Sequence, residues 1–325
     1  MTPTHPADVA APARPRRTVV ALLGFLGGVA GIATVTASFG RAWWVFDLTT
    51  NFRPLYAVVL VVAGAGLLAV GRRRMAAAAL LAAGLNAVLV APYLAGRPPV
   101  PPPDAPLLEV VSFNVGISTS PRGEVMAWID VEDPDVVFLF ESSFEWEDAA
   151  VAAGLPLDFV STVPAGRIAG VTVLARPSLA ARPVDPGLDP SEAVAVDLEH
   201  AGGSLTILGL HPPSPTDAGR AARRDTILGA AGDWVRERTG PVLVVGDLNA
   251  TPWSVGFREL ERRGGLTDSL RGRGLQPTWP AGFGPLMIPI DHALHTGGLA
   301  VADRRTGPSA GSAHRPLVVS VGAAG

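Results

Sequence analysis

The sequence predicts an α/β protein in two parts: three membrane-crossing helices, then a domain of two mixed sheets with flanking helices. Two observations carry this expectation. Residues 18–39, 55–70 and 75–94 are apolar and uncharged, and the longest run, about 22 residues, matches what crosses hydrocarbon as a helix. From residue 107 the pattern changes. Short apolar stretches there alternate with polar, alanine-rich ones, the rhythm of strands and helices within one α/β domain.

Residues 1–17 form a polar, proline-rich tail that ends in Arg14, Arg16 and Arg17. A secretory signal competes for the first apolar run, but two further spans follow it with no clear cleavage site before them. The second run is short, about 16 residues, and draws on Phe52 and Pro54 at its edge. A buried helical hairpin is the competing reading of the second and third runs. Arg72, Arg73 and Arg74 separate those two, whereas the loop between the first and second holds only Arg41 and Arg53, with Asp47. The positive-inside rule puts the tail and the arginine triplet in the cytoplasm and the 41–54 loop outside. Trp43, Trp44 and Phe46 in that loop suit an interfacial aromatic belt. The expectation is a multi-pass cell-membrane protein, residues 18–95 in the bilayer and the domain extracytoplasmic. Segment 96–106 carries six prolines, which reads as an extended spacer or as a disordered linker.

In the domain, 107–325, strands are expected at 108–113, 135–140, 170–175, 193–198, 204–210, 242–246, 289–294 and 317–321. Helices are expected at 122–129, 144–153, 218–238 and 254–263. The two strands around His200, Ala201, Gly202 and Gly203 read as a hairpin. Composition narrows the function. With 26 basic and 29 acidic residues the net charge is -3, which disfavours a basic groove for duplex nucleic acid. All the basic residues are arginine, and cysteine is absent, so disulfides and thiol catalysis are excluded.

The most telling segment runs from Val244 through Gly246, Asp247, Leu248 and Asn249 to Pro252. An apolar strand leads straight into a carboxylate and a carboxamide at a sheet rim, where they can orient a water or a metal beside a phosphate. An Asx turn before Pro252 is the plainer reading. Four other strand ends fit the same chemistry in order: Asn114, Glu141, His211, and Asp291 with His292. The set closes with Gly311, Ser312, Ala313, His314 and Arg315.

This ordered set resembles the endonuclease/exonuclease/phosphatase superfamily, whose fold is a four-layer α/β sandwich. The three preceding spans are similar to its membrane-anchored, VanJ-like branch, associated with glycopeptide resistance. The resemblance implies a metal-dependent phosphoric ester hydrolase. Glu141 would be the metal ligand, with Asn114 helping to hold metal or phosphate, and hard oxygen donors suit Mg²⁺ or Mn²⁺. Asp247 would align the attacking water and Asn249 bind phosphate, while His211 would stabilise charge on the phosphoryl group. Asp291 would orient His314, the general base.

Alternation puts Asp291 and Ala293 on one face of their strand and His292 on the other, at a second sheet or the surface. His295 then faces away from His292, which argues against a shared zinc. Trp253, Trp279 and Phe283 are candidates for an apolar wall, and Arg167, Arg176 and Arg315 for phosphate contacts. One departure stands out. The family carries Ser-Asp-His where this chain has Ser312, Ala313 and His314. Three outcomes follow from it: weaker metal affinity, substitution by a carboxylate such as Asp303 or Asp268, or loss of catalysis; a working enzyme is expected because the other groups remain. The expected substrate is a phosphodiester or pyrophosphate near the bilayer, such as a lipid-linked envelope intermediate. An extracellular nuclease and an inactive binding or sensor module are the rivals.

Overall fold

The structure is a computed structural model, and it describes residues 14–116, 120–163 and 170–325. Arg167 lies outside the described residues. Two six-stranded sheets stack face to face. The first has the order β11 (Leu299–Thr306), β12 (Leu317–Ala323), β1 (Leu108–Asn114), β2 (Val136–Ser142), β4 (Gly170–Ala175), β3 (Asp158–Val163). The second has the order β5 (Arg182–Val184), β6 (Ala193–His200), β7 (Gly203–Leu210), β8 (Val242–Asp247), β10 (Asp291–His295), β9 (Thr267–Asp268). Helices α5 (Arg122–Glu132) and α6 (Glu145–Ala153) cover the first sheet; α7 (Ala218–Glu237) and α8 (Val255–Gly264) cover the second. This is the expected four-layer α/β sandwich.

Side-chain alternation builds the layers. Val110, Phe138, Phe140, Ile207, Val245 and Ala293 fill the space between the sheets. Their neighbours Val111, Val137 and Leu139 face α5 and α6, and Leu208, Val244 and Leu294 face α7 and α8. The eight strands expected from sequence all form. The four strands that were not expected, β3, β5, β9 and β11, are the four sheet edges.

Among the described residues three helical stretches are long and apolar enough to cross a membrane: Thr18–Ala37, Trp44–Ala69 and Arg73–Leu94. Their long helices are α1 (Arg14–Ala37), α3 (Arg53–Ala69) and α4 (Arg73–Leu94). A polar staple ties them at one end. Buried Arg53 donates to Asn86 Oδ1 at 3.2 Å and to the Ala37 carbonyl at 3.1 Å, and Asn86 donates to Thr34 Oγ1 at 2.8 Å.

The connection between α1 and α3 is not a plain loop. It folds as α2 (Trp44–Leu48) and a 3₁₀ turn, Thr49–Phe52, and it docks on the sandwich. Asp47 forms a buried ion pair with Arg224 of α7 at 2.8 Å and accepts the Val255 N–H at 2.8 Å. Thr251 donates to Asn51 at 3.0 Å. Farther along, Val90 and Tyr93 of α4 pack with Trp253 and Leu270, and Gly272 and Gly274 donate to the carbonyls of Pro92 and Tyr93 at 2.9 and 2.8 Å.

The proline segment has no helix or strand and lies along the domain: Pro101 is buried, and a Cβ on Gly322 would meet Pro101 and Pro106 at 3.1 Å. One expectation is corrected. Trp253 walls no substrate; its indole donates to the Leu89 carbonyl at 3.1 Å and anchors the domain to α4.

Candidate active site

The site lies at the mouth of the intersheet space, where β1, β2, β7 and β8 end. Asn114, Asp247 and Asp291 share the intersheet parity of their strands, and His211 continues that of β7. Glu141 has the opposite parity and would point toward α6. A β-bulge between Phe140 and Ser142 corrects this, with Glu141 itself in the left-handed region at φ 56°. A bulge re-aims one side chain without disturbing the strand, and a non-glycine residue held there stores strain of the kind that gathers at functional sites. Gly246 is required by a close approach: a Cβ there would sit 2.0 Å from the Leu210 carbonyl oxygen, at a φ of 145°.

Asp247 and Asp291 are paired directly across β8 and β10. Like charges in that register repel, and His314 answers them. Its Nδ1 lies 3.0 Å from Asp291 Oδ2 and its Nε2 3.7 Å from Asp247 Oδ2. Ser312 positions this histidine by donating to the Asn114 carbonyl at 2.7 Å and accepting the His314 N–H at 3.0 Å. On the other side, His211 lies 3.4 Å from Glu141 and 3.7 Å from Asp247. Asn114 Nδ2 bridges the two acids, donating to Glu141 and to Asp247 at 3.0 Å each. Its side-chain Oδ1 accepts the Gly116 N–H at 3.0 Å, so the Asn114 amide joins the two acids and the following loop.

The Asx turn is present as well. Asp247 Oδ1 accepts the Asn249 N–H at 2.9 Å, with Asn249 left-handed at φ 48° and its amide donating to the Pro212 carbonyl at 3.1 Å. The turn leaves Asp247 Oδ2 for contacts with Asn114, His211 and His314.

The electrostatics follow from burial and crowding. The His211 hydrogen bond, helped by Asn114 and working against burial, holds Glu141 down at about 2. Burial, with Asp291 adding to it, pushes Asp247 up. Burial would lower His314, but Asp291 and Asp247 overcome it and raise it to about 9. His211 is raised for the same reason, by Glu141 and Asp247 against burial. Three carboxylates thus meet two histidines. Asp291 Oδ1 is buried with no hydrogen-bond partner, an expensive state for a carboxylate oxygen. Asp247, Asp291 and His314 offer ligand atoms within 4.8 Å of one another. Partly exposed Glu141, with Asp247 beside it, adds oxygen donors, and this set fits a hard divalent cation.

A cavity of about 520 Å³ opens over these groups. Glu141, Asn249, Trp279, Ala313 and His314 line it, and so do Leu48 and Asn51 from the α2 connection. The Trp279 ring lies 6.4 Å from that of His314. Leu48 and Asn51 had no signal in the sequence, because only the docking of that connection brings them here.

Other candidates lie elsewhere. Phe283 is exposed away from the lining. Arg176 pairs with Asp133 and Asp135 at 2.6 and 3.1 Å, and Arg315 is exposed outside the cavity. His292 lies in the second sheet, on the face away from Asp291 as expected, and not at the surface. It is buried under Phe257, with Nε2 2.9 Å from the Ala250 carbonyl, and burial pushes it down to about 3. Nor does Asp268 or Asp303 replace the missing acid. Asp268 is sealed beside Leu294, and Asp303 pairs with Arg305 at 2.8 Å. Ala313 itself lines the cavity, so the departure lies at the site.

The chain belongs to the Endonuclease/Exonuclease/phosphatase family, whose profile matches residues 111–314, the span that holds every residue of the cluster. Solved structures share the fold. Humanized D. rerio TDP2 aligns at 15% identity and a TM-score of 0.54, over 66% of this chain and 98% of that one. The catalytic domain of human Nocturnin with bound sulfate aligns at 18% and 0.52, over 70% and 100%. An endonuclease/exonuclease/phosphatase from Beutenbergia cavernae aligns at 17% and 0.50, over 68% and 72%. No curated protein matches the chain in sequence.

Proposed function

We propose that the chain is a membrane-anchored, metal-dependent phosphohydrolase that cuts a phosphodiester or pyrophosphate bond in a lipid-linked substrate. The observation that carries this is the makeup of the cavity. Its floor is the Glu141, Asp247 and His314 cluster, and one wall is the connection between two helices apolar enough to cross a membrane. An apolar groove of about 160 Å³ continues from it along Phe52 and Leu55 of the α3 end and Pro285 and Met287 opposite. Asn51 and Ile288 line both spaces. A phosphoryl group at the cluster and a hydrocarbon chain in the groove would occupy the two together.

Glu141, with Asp247 and the unpartnered oxygen of Asp291, would hold Mg²⁺ or Mn²⁺, which supplies charge neutralisation at phosphoryl oxygens. Asp247 orients the water. Neutral His314, held by Asp291, accepts the water proton as the new oxygen–phosphorus bond forms and the bridging bond breaks. Asn249 and His211 face the phosphoryl oxygens. Sulfate bound to the Nocturnin catalytic domain is a phosphate-like anion on the same fold. A D. rerio TDP2 structure holds a single-strand DNA product, so a nuclease is the rival. Among the described residues no arginine lines this cavity, which disfavours a polyanionic chain. The arginine asymmetry supports a cytoplasmic tail and an extracytoplasmic domain, as in the VanJ-like branch.

The test is divalent-dependent turnover by the full chain in detergent, on a prenyl diphosphate, bis(p-nitrophenyl) phosphate and single-stranded DNA. Turnover of DNA alone would establish the nuclease. No turnover by the natural chain, with activity appearing in Ala313→Asp, would establish an inactive module. A reporter fused after Gly325 should work only when exported.

A further inference from the structure

The α2 connection does more than anchor the domain. Leu48 and Asn51 line the cavity together with the acids, and Asn51 also lines the apolar groove that meets it. Their position is fixed on three sides. The Asp47–Arg224 pair, with side chains 4% and 3% exposed, locks α2 to α7. The Val255 N–H donates to the same carboxylate. Thr251, two residues past Asn249, donates to Asn51 Oδ1 at 3.0 Å. That bond occupies the carbonyl of the Asn51 amide and leaves its Nδ2 as the polar donor on this wall. The lining holds no arginine and lacks the acid at position 313. A substrate with two phosphoryl groups can place one at the cluster, and the other then needs a donor near the groove.

We propose that Asn51 is a substrate-positioning residue. Its Nδ2 donates to the phosphoryl group that joins the cleaved bond to the apolar chain, so the segment between the first two apolar helices selects a diphosphate carried on a hydrocarbon. This rests on the lipid-linked reading given above.

The experiment uses the full chain in detergent micelles with Mg²⁺, farnesyl diphosphate and bis(p-nitrophenyl) phosphate. Asn51→Leu keeps the size and removes the donor. It should raise KM for farnesyl diphosphate about tenfold, the effect of one hydrogen bond to a charged group. Its kcat, and turnover of the small diester, should stay within about twofold, since neither depends on that bond. Thr251→Val removes the same loop bond but keeps the amide, and should raise KM for farnesyl diphosphate by less than Asn51→Leu does while leaving the small diester unchanged.

Equal losses on both substrates, or Thr251→Val reproducing Asn51→Leu, would mean that the residue only shapes the loop, and would overturn the proposal. A natural chain that cuts the diester but not farnesyl diphosphate overturns the lipid reading and this role with it. If neither is cut, the hydrolase reading fails separately. Calorimetric binding of farnesyl methylenediphosphonate, which cannot be hydrolysed, then reads Asn51 alone. About tenfold weaker binding by Asn51→Leu supports the role, and equal binding overturns it.

Discussion

The two sheets are equal in strand number but divide the work differently. The first gives Asn114, the bulged Glu141 and, just before β12, His314. The second carries Asp247, Asp291, His211 and Asn249 at its strand ends, and the hydrogen bonds from the apolar helices named above all end on its side. The half that carries the Asp247–Asp291 pair is thus the half that is docked. The half that offers Glu141 and His314 meets the proline segment, at Gly322 and Gly325. The cluster is closed only where the two halves meet, His314 of one reaching Asp291 and Asp247 of the other.

The sharpest way to break this comparison is at Asp247. Asp247→Asn should cut turnover by about 10²–10⁴-fold, the range for a group acting on the reacting water, and leave the melting temperature near that of the natural chain. A loss below tenfold would remove the second sheet from the chemistry. Next in size is the docking pair. Arg224→Ala leaves Asp47 buried and unpaired, which should cost about 3–5 kcal/mol in urea unfolding. Asp47→Asn combined with Arg224→Met should recover most of it. A cost equal to that of an exposed pair would show that the docked face is wet.

The third prediction is a pH effect. His314 titrates at about 9 in the folded, metal-free chain, against 6.5 when unfolded. The folded state therefore binds more protons between those values, so this stabilisation is complete below pH 6.5 and is lost as pH rises through 9. Metal-free thermal melts should drop across that window, and His314→Ala should flatten the drop. Mg²⁺, by neutralising the carboxylates that raise it, should bring the His314 ring titration down, as followed by NMR.

Much of this was legible in sequence, for a physical reason. The eight strands that were expected are inner strands with apolar residues on both faces, such as Val242–Asp247, buried throughout. The four that were missed are edges. Leu299–Thr306 starts apolar and then turns to Asp303, Arg304 and Arg305, and Thr267–Asp268 is two residues long. An edge strand borrows its order from one neighbour and needs little apolar signal of its own. Alternation likewise put Asp291 and Ala293 on one face and His292 on the other, as the packing has them. It could not place Glu141, whose direction depends on a bulge, nor Asn51, whose partner Thr251 is 200 positions away. Trp253 read as a site residue because its neighbours are, yet only the packing of α4 decides which way its ring points.

Two smaller effects sharpen the contrast. Ala313→Asp adds an oxygen donor beside Glu141 and should lower the Mg²⁺ concentration for half-maximal rate by several-fold, on the order of 1 kcal/mol. An unchanged titration would mean that the existing donors already saturate the cation. Arg176→Ala, on the undocked half, breaks a pair whose Asp133 side chain is 68% exposed. It should cost at most about 1 kcal/mol, and a larger value would deny that this half is the looser one.

The Asp47–Arg224 lock has a kinetic meaning. On the proposed function, with the helices in a bilayer, a domain locked to the connection between them has no tether to swing on, and its search for a lipid-linked substrate is two-dimensional. Its rate should then follow the mole fraction of substrate in the surface, falling when inert detergent or lipid dilutes that surface, while the bulk concentration stays the same.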